Sequence, residues 1–234
     1  MLETCQDQVI KLWPSVRAEL LYMSYALPLM YHDAGASNSE MLFSSDAMGV
    51  NKRDNGGFGI SFTRINELES KSLLTSSEQL GRTIAQLDGD FSGLRCPEKE
   101  ITPTIPFTLL PDELFSEQRW NDLTAGRWSF PDHVTLGEAR AVARLVQILA
   151  VCNTFCRKLV FSLQDNAPCS SSMTKGRSPS WALNYVLRRK SAACLVGNFR
   201  LLLPWVESKK QPSDALSRLF EGELQARHQS DPSC

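Results

Sequence analysis

Residues 136–166, LGEARAVARLVQILAVCNTFCRKLVFSLQDN, carry the two patterns that decide the fold. The first half has apolar residues at helical spacing and predicts a helix over 136–152. Thr135 precedes it with Glu138 three residues further on, which is the spacing of a capping box. KLVFSL at 158–163 is a short apolar run that ends at Gln164-Asp165-Asn166 and predicts a strand. A long amphipathic helix followed by a buried strand is typical of α/β proteins.

The flanking sequence extends this pattern in both directions. Upstream, residues 41–47 and 57–63 predict two strands of a hairpin, with a turn signal at Asn55-Gly56 and a loop over 33–40. Residues 127–134 predict a further edge strand that contains Pro131. Downstream we expect a polar loop over 167–177, a helix over 178–196 capped by Ser178, a strand over 199–206, and a short helix that begins near Ser213.

This order of elements predicts the fold class and the domain organisation. A hairpin followed by alternating helices and strands indicates an α/β protein with a mixed sheet and helices packed on its faces. Residues 1–38 predict a helical connection segment, with the main helix over 9–31. Residues 39–220 form the expected α/β domain, which contains an insertion at 64–126, and residues 221–234 form a tail. We expect the insertion to pack on the surface, outside the sheet, because its periodicity is weak and three prolines lie between 97 and 106.

Composition excludes several classes of protein. The chain has 234 residues, of which 42% are hydrophobic and 22% charged, so a disordered chain is excluded. No apolar run approaches the roughly 18 residues of a membrane span, and the charged first twenty residues do not resemble a signal peptide. Seven cysteines without a framework spacing favour reduced thiols and an intracellular setting, in the cytoplasm or nucleus.

Charge is unevenly distributed along the chain. The net charge of −1 excludes a uniformly basic nucleic-acid binder. Residues 151–218, however, hold 11 Lys and Arg against three Asp and Glu. This asymmetry indicates contact with a polyanion, and a solvated helix face is an equally good interpretation. The candidates for contact with a phosphate backbone are Lys175, Arg177, Arg188, Arg189 and Lys190, with Trp181 and Tyr185 nearby.

Four carboxylates stand where a predicted sheet edge would gather them. Asp46 and Asp165 end two strands, Glu138 lies in the first turn of the main helix, and Asp214 opens the last helix. Such a cluster needs a cation, and oxygen ligands select Mg²⁺ or Mn²⁺. Each residue also has a structural alternative as a helix cap or a strand terminator, and spacing alone leaves both interpretations open.

Several segments resemble the ribonuclease H domains of retroelement polyproteins. FSSDAMG with GGFGISFT resembles their first hairpin, and RWSFPDHVTLGEARAV resembles their third strand and the following helix. VFSLQDNAP resembles the strand that ends in an Asp-Asn pair, and WVESKKQPSDALSRL resembles the end of such domains. LWPSVRAELLYMSYALPLM is similar to the segment that connects a reverse transcriptase to this domain. The resemblance covers about residues 10–220.

The resemblance implies a ribonuclease H-like fold with a five-stranded sheet. It further implies hydrolysis of the RNA strand of RNA–DNA hybrids with two Mg²⁺ or Mn²⁺ ions, as part of a retroelement replication machinery. Asp46, Glu138, Asp165 and Asp214 would be the catalytic, metal-binding tetrad, and Asn166 would lie beside the nucleic acid. A reverse transcriptase domain in the same polyprotein is an implied partner, and a stand-alone relic is the other origin.

Two departures from the family pattern leave other functions open. The 92 residues between Asp46 and Glu138 exceed what a compact enzyme of this fold needs, and no His clearly precedes the last Asp. The alternatives are a catalytically silent scaffold that binds nucleic acid or protein, and another nuclease or polynucleotidyl transferase of the same fold. Cys152 and Cys156 are more readily explained as isolated thiols than as metal ligands. His133 is expected to be structural, and the tryptophans 120, 128, 181 and 205 are expected to lie in the core and not to form a base-stacking surface.

Overall fold

The computed structural model describes residues 11–29, 35–49, 55–77 and 110–220. The chain divides into two units, residues 1–35 and residues 36–234. In the first unit, helix α1 (Pro14–Ala26) has Pro14 at its first position, where the missing backbone N–H costs no helical hydrogen bond. A 3₁₀ turn follows at Leu27–Leu29. None of the described residues of α1 is buried. The segment 97–106 with its three prolines and the tail at 221–234 lie outside the described residues.

The second unit is built on one five-stranded sheet. Strands β1 (Ser37–Ala47) and β2 (Gly57–Arg64) form the predicted antiparallel hairpin. After helix α2 (Glu67–Ser76), strand β3 (Asn121–Arg127) pairs antiparallel with β2. Helix α3 (Val134–Ala150) leads to β4 (Lys158–Leu163), which lies parallel to β1.

The remaining elements complete one side of the sheet. Helices α4 (Ala167–Lys175) and α5 (Trp181–Gly197) follow β4, and β5 (Arg200–Leu202) pairs parallel with β4. Helix α6 (Asp214–Ser217) is a single turn. The strand order is β3-β2-β1-β4-β5. The predicted fold class, a mixed five-stranded sheet with an antiparallel meander and then parallel strands, is confirmed.

Apolar side chains cover both faces of the sheet. Neighbouring residues of a strand point to opposite faces, and in β1 Phe43 belongs to the core formed with α3, α4 and α5, whereas Leu42 belongs to a second core with α2 and residues 110–120. Phe161 and Leu163 of β4 also lie in the second core. The long helix predicted at 136–152 supplies most of the first core.

Four local predictions are wrong. β1 begins at Ser37, so the loop expected over 33–40 ends earlier. The strand expected over 127–134 lies at 121–127, so the last residues of the expected 64–126 insertion belong to the sheet. This edge strand pairs through its backbone and buries little side-chain surface, so it has no apolar alternation. Residues 167–175, expected as a loop, form α4, because Asn166 caps its start and Gly176 adopts the left-handed conformation after its end.

The helix starts also differ from prediction. His133, and not Thr135, caps α3, because its side chain accepts a hydrogen bond from the Thr135 backbone N–H. Ser180, and not Ser178, caps α5. The shift in α3 matters for function, since it releases Glu138 from the expected capping box.

Candidate metal centre

Three of the four predicted carboxylates meet at one edge of the sheet. β1 and β4 run parallel, so Asp46 near the end of β1 and Asp165 just after β4 lie at the same edge. Glu138 reaches the same point from α3, where it is the fifth residue and lies in the second turn, not in the first turn as predicted, because the helix begins at Val134. One carboxylate oxygen from each of Asp46, Glu138 and Asp165 lies within 4.8 Å of the others.

Close packing between α3 and β1 brings Glu138 to this edge. A Cβ atom added to Gly137 would lie 3.4 Å from the Cβ of Ala47 and 3.5 Å from the indole nitrogen of Trp128. These distances are those of ordinary van der Waals contact, so the start of α3 packs directly against the end of β1. Glu138 is 3% exposed and Asp46 is 4% exposed, so two of the three carboxylates are removed from solvent.

Burial and mutual repulsion raise the affinity of these carboxylates for protons. Burial is the main cause that raises the pKa of Glu138 to about 9, with the charges of Asp46 and Asp165 adding to it. Burial likewise raises the pKa of Asp46 to about 6, with contributions from Asp165 and Asp214. A hydrogen bond with Ser217 and the charge of Arg218 act in the opposite direction on Asp46. Asp46 and Glu138 therefore favour a proton or a cation over a bare negative charge.

The ligand chemistry fits a divalent cation. Three carboxylate oxygens from three separate elements are hard ligands of the kind that Mg²⁺ and Mn²⁺ prefer. A bound cation would neutralise the repulsion that adds to the effect of burial on both pKa values. The residues that would hold it are Asp46, Glu138 and Asp165.

Asp214 lies near this group but outside it. Its electrostatic effect on Asp46 shows that the two are close. Its carboxylate, however, is 45% exposed and accepts hydrogen bonds from Arg218, at 2.9 Å from Nη2 and 3.2 Å from Nε. The role of Asp214 in a tetrad stays a prediction.

Close backbone contact places α6 beside Asp46. A Cβ atom added to Gly59, which pairs with Asp46, would lie 2.6 Å from the Ser217 nitrogen, and one added to Gly57 would lie 2.7 Å from the Ser217 oxygen. The glycines of the GGFG sequence therefore allow the backbone of α6 to pack directly on β2. The G-x-G pattern within a strand was the available sequence signal for this contact.

Buried hydrogen bonds hold the segment before α6. The Ser213 hydroxyl lies 3.0 Å from the Ser44 carbonyl oxygen and 3.2 Å from the Ser61 hydroxyl. Gln211 donates to the Ser45 carbonyl oxygen at 2.9 Å and accepts from the Ser44 hydroxyl at 2.9 Å. We call residues 211–217 the C-terminal clasp.

Two residues that the sequence interpretation missed support Asp165 and Glu138. The Trp205 indole donates to the Asp165 carbonyl oxygen at 2.7 Å, and Gln164 donates from Nε2 to Glu138 Oε2 at 2.8 Å. Trp205 is 51% exposed and Trp181 is 80% exposed, so the expectation that both lie in the core is wrong. A single buried amide at a strand end forms no pattern that a sequence could show.

The residues predicted to contact nucleic acid lie on and beside α4 and α5. Asn166 caps α4, because its side-chain oxygen accepts a hydrogen bond from the Cys169 N–H. Lys175, Arg177, Arg188 and Arg189 are exposed, and Lys190 donates to the Met173 carbonyl oxygen at 3.4 Å. The exposed Trp181 and Tyr185 rings stack with their centroids 6.4 Å apart.

Comparison with known proteins finds that the chain is similar to a solved structure. It is the N-terminal RNase H domain of a Mycobacterium tuberculosis protein, solved as a fusion with maltose-binding protein, with 14% identity and a TM-score of 0.39. The match covers 81% of this chain and 96% of that chain. No family model and no curated protein matches the chain. Among the described residues, no helix combines the length and hydrophobicity needed to cross a membrane.

Proposed function

We propose that this chain is a ribonuclease H-like endonuclease that hydrolyses the RNA strand of RNA–DNA hybrids in retroelement replication. The observation that carries the proposal is the convergence of Asp46, Glu138 and Asp165, within 4.8 Å, from the ends of two parallel strands and the start of a helix. The sequence segments that resemble retroelement ribonuclease H domains contribute these same three residues.

The proposed cofactor is Mg²⁺ or Mn²⁺. When bound, such an ion supplies charge neutralisation and activation of water toward a phosphodiester. Asp46, Glu138 and Asp165 would hold one ion, and burial of two of them keeps competing water away. A second ion would need Asp214 as a ligand. To bind it, the Asp214 carboxylate would have to give up its hydrogen bonds from Arg218.

The exposed cations of α4 and α5 are the proposed contacts to the nucleic acid backbone. Lys175 and Arg177 lie at the end of α4 and just after it, and Arg188 and Arg189 project from α5. The stacked Trp181 and Tyr185 rings provide an apolar surface on the same helix. Replacing Arg188, Arg189 and Lys190 by Ala should weaken binding and reduce the salt slope, by up to about 0.9 per lost phosphate contact.

The proposal is tested by cleavage of defined duplexes. The purified chain with Mg²⁺ should cleave end-labelled RNA in a hybrid, and leave double-stranded DNA of the same sequence intact. Asp165→Asn should lose the activity, whereas Asp122→Asn, at an exposed position of β3, should retain it. Cleavage that is equal in wild type and Asp165→Asn would reveal a contaminating nuclease and contradict the proposal.

A catalytically silent scaffold is the second candidate. The observation that favours it is the Arg218–Asp214 ion pair, which engages the fourth acid of the expected tetrad. A scaffold of this kind would bind the hybrid with unchanged affinity in Asp165→Asn and would cleave none of the duplexes in either form.

A further inference from the structure

Gln164 directly follows β4, and its backbone is hydrogen-bonded to the segment after β5. Its N–H donates to the Pro204 carbonyl oxygen at 3.1 Å, and its own carbonyl oxygen accepts from the Val206 N–H at 3.0 Å. It forms a parallel bridge with Trp205. Both hydrogen bonds join the backbone immediately before Asp165 to the 204–206 segment, so the Gln164 side chain starts from a rigid position.

The Gln164 side chain is fully buried and reaches Glu138. Its Nε2 lies 2.8 Å from Glu138 Oε2, and the side chain is 0% exposed. In the ionised form that would bind a cation, the Glu138 carboxylate only accepts hydrogen bonds, so the NH₂ end of the amide is the end that must face it. The Ala47 backbone N–H also hydrogen-bonds with Glu138. Glu138 is thus held by donors from the ends of β1 and β4, the two strands that supply the other carboxylates.

Gln164 lowers the stability of the core through one unpaired atom, and packing alone does not explain why an amide lies there. Its Oε1 is buried and has no hydrogen-bond partner among the described residues. An unpaired buried amide oxygen loses its hydration without replacement, which destabilises the fold. A methionine would fill a similar volume without that loss. The amide is therefore better explained by what it does to Glu138 than by its contribution to the core.

We propose that Gln164 is a positioning residue for cation binding: it fixes the Glu138 carboxylate in the orientation that brings it against Asp46 and Asp165. This inference rests on the proposed function, because it requires that the three carboxylates bind a divalent cation. Glutamate has three freely rotating side-chain bonds, so without Gln164 its carboxylate would sample other orientations at this edge. Partners that orient metal ligands in this way typically change metal affinity by about 10–100-fold when removed.

The test is direct binding of Mn²⁺ to the whole chain, followed by the electron paramagnetic resonance signal of free Mn²⁺. Gln164→Met removes the hydrogen bond and keeps the volume. Gln164→Asn keeps the amide but shortens the side chain by about 1.5 Å, the length of one carbon–carbon bond. Both variants should raise the Mn²⁺ Kd by about 10–100-fold. Gln147→Met, a partly buried position further along α3, is the matched control and should leave the Kd unchanged.

Thermal unfolding in EDTA separates positioning from a merely structural role. Gln164→Met should unfold close to the wild-type temperature, because loss of the hydrogen bond to Glu138 is offset by removal of the unpaired Oε1. A wild-type protein that binds Mn²⁺, with both Gln164 variants folded and within twofold of its Kd, would overturn the inference and leave the proposed function standing. A wild-type protein that binds no Mn²⁺ at millimolar concentration would overturn both. If Gln164→Met does not fold, the Kd of Gln164→Asn decides.

Discussion

Neutralising Asp46 should stabilise the protein in the absence of metal. The Asp46→Asn substitution keeps the shape of the side chain and an oxygen that can accept from Ser217. It removes a buried negative charge that lies against Glu138 and Asp165. Because the charged form of Asp46 is disfavoured in the folded state, the wild-type protein gives up folding free energy when this group ionises.

The size of this effect follows from the pKa of Asp46. A pKa raised from 3.8 to about 6 corresponds to about 3 kcal/mol at neutral pH, at about 1.4 kcal/mol per pH unit. The folded state keeps its proton to higher pH than the unfolded state, so wild-type stability is lost as pH rises from 3.8 to about 6. The advantage of Asp46→Asn should therefore be nearly complete at pH 7.5 and fall below about 1 kcal/mol at pH 4.

The assay is thermal unfolding in EDTA at pH 7.5 and pH 4. For a chain of this size, about 3 kcal/mol corresponds to an increase of roughly 6–12 °C in Tm. Addition of 10 mM Mg²⁺ at pH 7.5 should raise the Tm of wild type and leave that of Asp46→Asn in place. Asp122→Asn, at an exposed position of β3, controls for the change of one carboxylate to an amide. An Asp46→Asn protein that is less stable than wild type in EDTA at pH 7.5 would refute the reasoning.

Three further substitutions test the surroundings of the site. Gly59→Ala should destabilise the protein by about 1–3 kcal/mol in urea unfolding, because its Cβ would lie 2.6 Å from the Ser217 nitrogen and displace α6; wild-type stability would contradict this contact. Asn166→Ala should cost about 1 kcal/mol through the lost cap of α4, and Asn166→Asp should restore most of it. Trp205→Phe should lower the rate of hybrid cleavage with little change in Tm, because the indole donor to the Asp165 carbonyl oxygen is lost. A fall in Tm large enough to account for the lower rate would indicate packing alone.

The parts of the fold that the sequence predicted well are those that bury apolar side chains. The predicted strand at 158–163 coincides with β4, and the predicted helix at 136–152 overlaps α3 over most of its length. β3 could not be predicted in place, because an edge strand with the sequence NDLTAGR is held by backbone pairing. α4 was missed because its serine-rich sequence looks like a loop. Its two caps and the burial of Cys169 and Met173 determine its helical form.

The candidate site shows the same division. Asp46, Glu138 and Asp165 became candidates because strand ends and helix starts are recognisable in a sequence, and the resemblance to ribonuclease H domains then favoured a metal site over helix caps and strand terminators. Their partners could not be predicted, since Gln164 and Trp205 act through contacts that depend on how β4 and the 204–206 segment meet. The ion pair of Asp214 with Arg218 has the i, i+4 spacing of a helix. Its consequence for a cation depends on the distance to Asp46, which the spacing does not contain.

The C-terminal clasp also bears on how the protein is made. The centre of the sheet carries buried polar atoms, and the clasp hydrogen-bonds with the hydroxyls of Ser44 and Ser61 and with the carbonyl oxygens of Ser44 and Ser45. Unpaired buried polar groups are costly, so the sheet cannot reach its final stability while residues 211–217 are still inside the ribosome. Folding of the domain should therefore finish only after release of residue 217, although every strand has emerged earlier. A nascent chain stalled shortly after β5 should remain sensitive to protease, and one extended beyond residue 217 by the length of the exit tunnel should become resistant.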